Sequence, residues 1–207
     1  DFGRDILSRI IFGARISLKV AFVAVSMAVI LGGTIGATAA YYSRIDNVVM
    51  RIVDLFMAIP NVLLAIAIAT ALGSGERNLM IAVGISSVPM YARIVRAAVL
   101  SVKEQEYIEA ATSIGASDLR IILGHIIPNA LSPVIVQATL SVATAIILAS
   151  SLSYLGFGVQ APLPEWGAML SSGRQYIRTY WHMTVFPGLA IMLAVYALNV
   201  VGDGLRD

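Results

Sequence analysis

The sequence has no cysteine, two histidines and few charges: 13% of its 207 residues are Asp, Glu, Lys or Arg. Without a thiol there are neither disulfides nor thiolate metal ligands, and redox chemistry says nothing about compartment. A soluble domain carries about 25% charged and about 45–50% apolar residues. Here 58% are hydrophobic and the mean hydropathy is +0.86, which argues against a water-soluble fold and excludes a disordered one. A formal net charge of +2 from scattered basic residues is too weak for a nucleic-acid footprint. What remains is a chain whose solvent is a lipid bilayer.

Five apolar runs fit that solvent, at about 16–42, 52–72, 78–95, 133–155 and 183–201. At ~1.5 Å per residue each approaches or crosses a hydrocarbon core of roughly 30 Å. They are apolar on all faces and do not alternate as barrel strands would, so the sequence predicts an all-α, polytopic membrane helix bundle. Gly73-Ser74-Gly75 is short enough to make the second and third runs an antiparallel hairpin. Residues 156–182 hold Gly156, Gly158, Pro162 and Pro164, then an amphipathic stretch around Trp166–Tyr176.

Lys and Arg counts should orient such a bundle. Arg44, Arg51, Arg93, Arg96, Lys103, Arg120 and Arg206 fall on one side, and Arg4, Arg9, Arg15, Lys19, Arg77, Arg174 and Arg178 on the other, seven against seven. With the residues before the first run set aside as a truncated loop, the balance places the 96–132 segment in the cytoplasm.

Catalysis needs nucleophiles, bases or ligands within mutual reach. The sequence lacks G-x-S-x-G, S-x-x-K, H-E-x-x-H and a phosphate-loop lysine, and His125 and His182 fall on opposite sides of the predicted bundle. No catalytic residue, cofactor site or metal site is expected. Inside the runs, Asp54 follows Arg51 by one turn, so a local ion pair is available. Pro60, Pro89 and Pro187 permit kinks, Gly32-x-x-x-Gly36 permits close helix approach, and the many serines suit hydrogen bonds to their own helix backbones.

The 96–132 segment is the most specific. Ser101-Val-Lys-Glu104 has capping-box spacing, and Glu104, Glu106 and Glu109 favour a helix start. Tyr107, Ala110, Ala111 and Ile114 would share one face. Gly115 suits a left-handed stop, and Ser117 can cap a second helix with Leu119, Ile122, Leu123 and Ile126 on its face, ended by Pro128. The residues alone leave open whether this loop docks into a partner or packs under its own bundle.

Glu109-Ala110-Ala111, three residues, Gly115, nine residues, then His125-x-Ile127-Pro128 resembles the EAA loop of ABC-importer permeases. His125 and Ile127 depart from the usual Ile and Leu. Residues Gly3 through Arg9, Asp54 through Pro60, Tyr91-Ala92-Arg93, Gly115 through Arg120, Leu155 through Val159, Trp166 through Leu170 and Gly202 through Asp207 together resemble the C-type permease subunit of dipeptide/oligopeptide (and nickel) importers. The resemblance implies a type I importer transmembrane core of five spans, with the family's first span missing and residues 1–15 extracytoplasmic. It implies a homologous B-type permease, two ATPase subunits that carry ATP and Mg, and an extracytoplasmic binding protein, in the cell (inner/cytoplasmic) membrane. It makes Glu109, Ala110, Ala111, Gly115, Ser117 and Pro128 the ATPase-coupling residues and peptides the cargo, with nickel or another small solute as the alternative and an ion-coupled secondary transporter as a further rival.

Overall fold

The structure is a computed structural model that describes residues 5–160 and 162–206. Gly3, Arg4 and Asp207 of the motifs above lie outside the described residues. Every regular element among those described is helical: α1 (Ile6–Tyr41), α2 (Ser43–Met57), α3 (Asn61–Leu72), α4 (Glu76–Lys103), α5 (Glu106–Ser113), α6 (Asp118–Ile121), a π-helical turn (Ile122–Ile126), α7 (Ile127–Tyr154), α8 (Trp166–Gly173) with a 3-10 turn (Arg174–Tyr176), and α9 (His182–Arg206). Four stretches are long and apolar enough to cross a membrane, 6–41, 76–103, 118–154 and 182–205. The second apolar run becomes a fifth only if α2 and α3, bent by 86° at Pro60, count as one broken span. The bend has a local cause, since Pro60 cannot donate to the helix and biases Ile59 away from helical geometry.

The first helix starts ten residues before the first apolar run. Asp5 caps it, accepting from the N–H groups of Leu7 (3.1 Å) and Ser8 (3.0 Å) and from the Ser8 hydroxyl. The Ser8 hydroxyl, then the backbone N–H groups, hold the Asp5 carboxyl below its usual range.

The bundle is built on α1 against α4, and its contact is made by small residues. A Cβ on Gly32 would lie 2.6 Å from the Val88 carbonyl oxygen, and one on Gly36 would lie 2.2 Å from that of Ala92. Gly32-x-x-x-Gly36 is therefore a packing motif here. Ala21, Ala24 and Ala28 of α1 are buried with Leu79, Val83 and Tyr91 of α4 and Val142, Ile146 and Ala149 of α7. In lipid, close van der Waals contact of this kind holds helices together, because apolar burial alone offers little drive. Serines bond within their helices as expected, with Ser86 and Ser87 donating to the Val83 carbonyl at 3.0 and 2.9 Å.

Both ends of the bundle are marked by polar contacts. At one end Lys19 pairs with Glu76 at 2.9 Å, and the Gly75 N–H donates to the Gly158 carbonyl at 3.0 Å, which brings the 73–75 turn to the 156–158 loop. At the other, Lys103 donates to the carbonyls of Tyr41 (2.8 Å) and Ala40 (3.3 Å). Lys19 and Arg77 thus sit opposite Lys103, the same partition of basic residues that the charge tally used.

Candidate functional site

The 96–132 segment folds as a short helix, a glycine elbow and the start of a long helical stretch, with several changes from the sequence reading. The Ser101 capping box does not form. Helix α4 continues to Lys103 and places Ser101 in its last turn, so α5 begins only at Glu106. Ser117 occupies the N-cap position of α6, but its side chain makes no capping bond. Pro128 ends no helix, since it falls in the first turn of α7 and residues 118–154 run on as one helical stretch. The π turn at 122–126 explains this, because its wider winding relieves the clash between the Pro128 ring and the carbonyl four residues back.

The same π turn re-aims the helix. Of the expected face, Leu119 and Leu123 are exposed, and Ile126 alone is buried. The inward residues are Ile121 and Ile126, five apart, followed by Ala130 and Val134. They close over Val95 and Val99 of α4 and Ile108 of α5, which is 4% exposed. Ile108, with Ala111 packed beside it, therefore seats α5 on the bundle. The Tyr41 hydroxyl donates to Asp118 at 2.7 Å, fixing the start of α6 to the end of α1.

Gly115 is the elbow, at φ 81°. Its N–H donates to the Thr112 carbonyl at 3.0 Å, and the Ala116 N–H to that of Ala111 at 3.1 Å, the paired bonds of a Schellman stop. A β-branched side chain disfavours this conformation. Gly115→Val is expected to cost roughly 1–2 kcal/mol locally and to lower transport while membrane insertion, read by immunoblot of the membrane fraction, stays normal.

With Ile108 turned inward, the opposite side of α5 faces out. Ala110 and Glu109 are exposed, Tyr107 is about half exposed and Ile114 is 85% exposed. Ala111 is half-buried. Of the predicted Tyr107, Ala110, Ala111 and Ile114 face, Tyr107, Ala110 and Ile114 are thus solvent-facing with Glu109 beside them, whereas Ala111 turns inward against the bundle. Leu119 and Leu123 extend the apolar surface past the elbow. Contiguous exposed apolar side chains at the aqueous end of a bundle mark an interaction surface.

A second polar framework links α2 to α4. Arg96 forks onto Asp46, its Nε and one terminal nitrogen each donating at 2.6 Å. Arg93 pairs with Asp54. The expected partner of Asp54 was Arg51, so the sequence reading is corrected. The bend at Pro60 swings α2 alongside α4, where Arg93 becomes the nearer cation. At the other end, Glu165, 1% exposed, was not anticipated. It accepts from the N–H groups of Gly167 (3.0 Å) and Ala168 (2.8 Å) at the start of α8 and from the Ser17 hydroxyl (3.3 Å), while the Trp166 indole donates to the Ile10 carbonyl at 3.0 Å. These bonds hold α8 against α1. A glutamate one residue before a helix start is the signal that could have revealed the cap.

Among the described residues, a helical bundle with four helices able to span a membrane, a sharply bent helix pair and an exposed segment at one end is the architecture of a polytopic integral membrane protein. The chain belongs to the binding-protein-dependent transport system inner membrane component family, whose model matches residues 28–207. It is 52% identical to the dipeptide transport system permease protein DppC of Alkalihalophilus pseudofirmus, over all of this chain and 68% of that protein. It is 46% identical to the glutathione transport system permease protein GsiD of Pectobacterium atrosepticum, over all of this chain and 69% of that one. The fold matches an inward-facing form of the MetNI methionine ABC transporter with a TM-score of 0.79 at 20% identity, covering 97% of this chain and 96% of that one. The chain is a multi-pass protein of the inner membrane and a permease component of an importer.

Proposed function

We propose that this chain forms half of the transmembrane pathway of an ATP-driven peptide importer, and that α5 is the helix through which separate ATPase subunits drive it. The observation that carries the coupling role is the outward stripe of Tyr107, Ala110 and Ile114, flanked by Glu109 and rigidly presented by the Gly115 elbow. Ala110 lets the helix enter a groove closely, Ala111 packs instead beside Ile108 on the chain's own bundle, and Ile114 offers an apolar tip that water alone would not favour. Beneath it, Ile108, Ile121 and Ile126 fasten the loop to α4 and α7, so force on α5 reaches the spanning helices directly. Ser117 and Pro128 act on this path through the backbone, Ser117 at the N-cap position of α6 and Pro128 in the first turn of α7, where the π turn accommodates it.

The partners on this reading are a homologous B-type permease, two ATPase subunits holding ATP and Mg, and an extracytoplasmic binding protein. Peptide cargo is favoured by the dipeptide and glutathione transporters among the similar proteins. The chain itself hydrolyses nothing. The test is reconstitution of the full assembly in proteoliposomes: a labelled dipeptide should accumulate only with MgATP and binding protein present. Uptake of nickel instead would keep the architecture and replace the cargo, and uptake driven by an ion gradient without ATP would reject the reading.

A further inference from the structure

A cavity of about 290 Å³ lies between α1, α3, α4 and α7, lined in part by Asn61, Val62, Ser87, Tyr91, Ser141 and Thr144. Tyr91 is fifteen residues from the start of α4 and twelve from its end, about 22 and about 18 Å along the helix. The cavity is therefore enclosed among the bundle helices, away from both ends of α4.

Two observations at this place are independent of each other. Tyr91 is 0% exposed, yet its hydroxyl makes no hydrogen bond of good geometry, with the Ser141 side chain standing beside it, and a buried polar group left so poorly paired is destabilising. The bent α2–α3 pair also begins its second half here. Helix α3, twelve residues long, starts at Asn61 after Pro60 with no side-chain cap. Its first N–H groups cannot be paired within the helix and carry the positive end of its dipole. Asn61 and Val62, the residues that bear them, line the cavity.

From this geometry we infer that the cavity is a transit station for the carboxylate end of the substrate, with the N-terminus of α3 facing the carboxylate and the Tyr91 hydroxyl donating to it. The inference rests on the peptide-import reading and adds to it a chemical group and a place. Hydroxyls and backbone N–H groups suit a carboxylate and its adjacent amide. Among the described residues that line the cavity there is neither carboxylate nor imidazole, the ligands a bare divalent cation would want. An uncharged lining also lets the substrate leave, since a fixed cation there would hold an anion too tightly for a conducting path.

The test uses Tyr91→Phe and Thr144→Val in the complete importer in proteoliposomes, with a dipeptide and its C-terminal amide as cargo. Uptake and ATP hydrolysis stimulated by loaded binding protein are measured together. Tyr91→Phe should lower dipeptide uptake about tenfold while keeping at least half the ATPase activity, and should narrow the preference for free carboxylate over amide by a similar factor. The same binding protein serves every variant, so its own preference cancels in that comparison. Thr144→Val is the control, because the Thr144 hydroxyl already donates to the Ser141 carbonyl at 2.9 Å, and should stay within twofold of the parent. Uptake within twofold of the parent for Tyr91→Phe as well, a parallel loss of uptake and ATPase activity, or an unchanged carboxylate preference would overturn the inference. An importer that moves no peptide at all while moving another solute would instead reject the cargo reading.

Discussion

Glu109→Lys is expected to leave the protein in the membrane at its normal level and to abolish both substrate-stimulated ATP hydrolysis and uptake. Glu109 is exposed beside the outward stripe of α5, and no ion pair within the described residues holds it. Reversing its charge removes no packing, and Lys and Glu have nearly equal helix propensities, so the bundle itself should not change. What changes is the rim of the surface offered to a partner. A like-charge contact across an interface costs several kcal/mol when partly desolvated, and a shift of about 5.5 kcal/mol is enough to turn a two-state equilibrium from 1:99 to 99:1. Glu106→Lys, one turn earlier on α5 and further from the Gly115 elbow, should lose less than threefold. The two variants are compared by uptake and ATPase activity in proteoliposomes. If both are harmless, α5 is merely packed against its own bundle.

Gly36→Leu should do the opposite, removing the folded protein from the membrane. A Cβ at position 36 would meet the Ala92 carbonyl oxygen at 2.2 Å, with the Arg96 nitrogen at 3.0 Å. Both are backbone atoms of α4, so relief requires the two longest-paired helices to separate. Overpacking of a tight core typically costs about 1–3 kcal/mol, and here separation would also pull Lys103 from the carbonyls of Ala40 and Tyr41. Gly33→Leu is the control, because a Cβ there has only the Val95 side chain within reach, at 3.8 Å. Detergent-extracted yield and thermal stability should fall sharply for Gly36→Leu and stay within a few degrees of the parent for Gly33→Leu.

The spanning helices were legible because lipid leaves so little choice. An apolar run of twenty residues must be a helix, and its end is visible wherever charge or glycine appears. Gly115 was legible for a similar reason, as a positive φ between two helical patterns is a position for glycine. The bend at Pro60 was readable as a kink, though not its 86° size, which depends on α2 lying along α4 through Asp46 and Arg96. The face of α6 and the following turn was misread because a 3.6-residue period was applied where the backbone winds as a π-helix. Ile121 and Ile126 fit an inward face only with a five-residue step. Pairing of Asp54 with Arg93, 39 positions apart, depends on tertiary placement that no local spacing encodes. The burial of Glu165 and the poorly paired Tyr91 hydroxyl likewise exist only once α1, α4, α7 and α8 are assembled.

The claim that α5 is the coupling surface is tested most directly by what touches its tip. Ile114 is 85% exposed and stands at the elbow, so a photoreactive amino acid there should leave the fold unchanged. In membranes holding the whole importer, irradiation should join this chain to its ATPase subunit, and the adduct should diminish in the Glu109→Lys background. An Ile114 probe that joins only lipid or other segments of this same chain, with the ATPase present and active, would contradict the account.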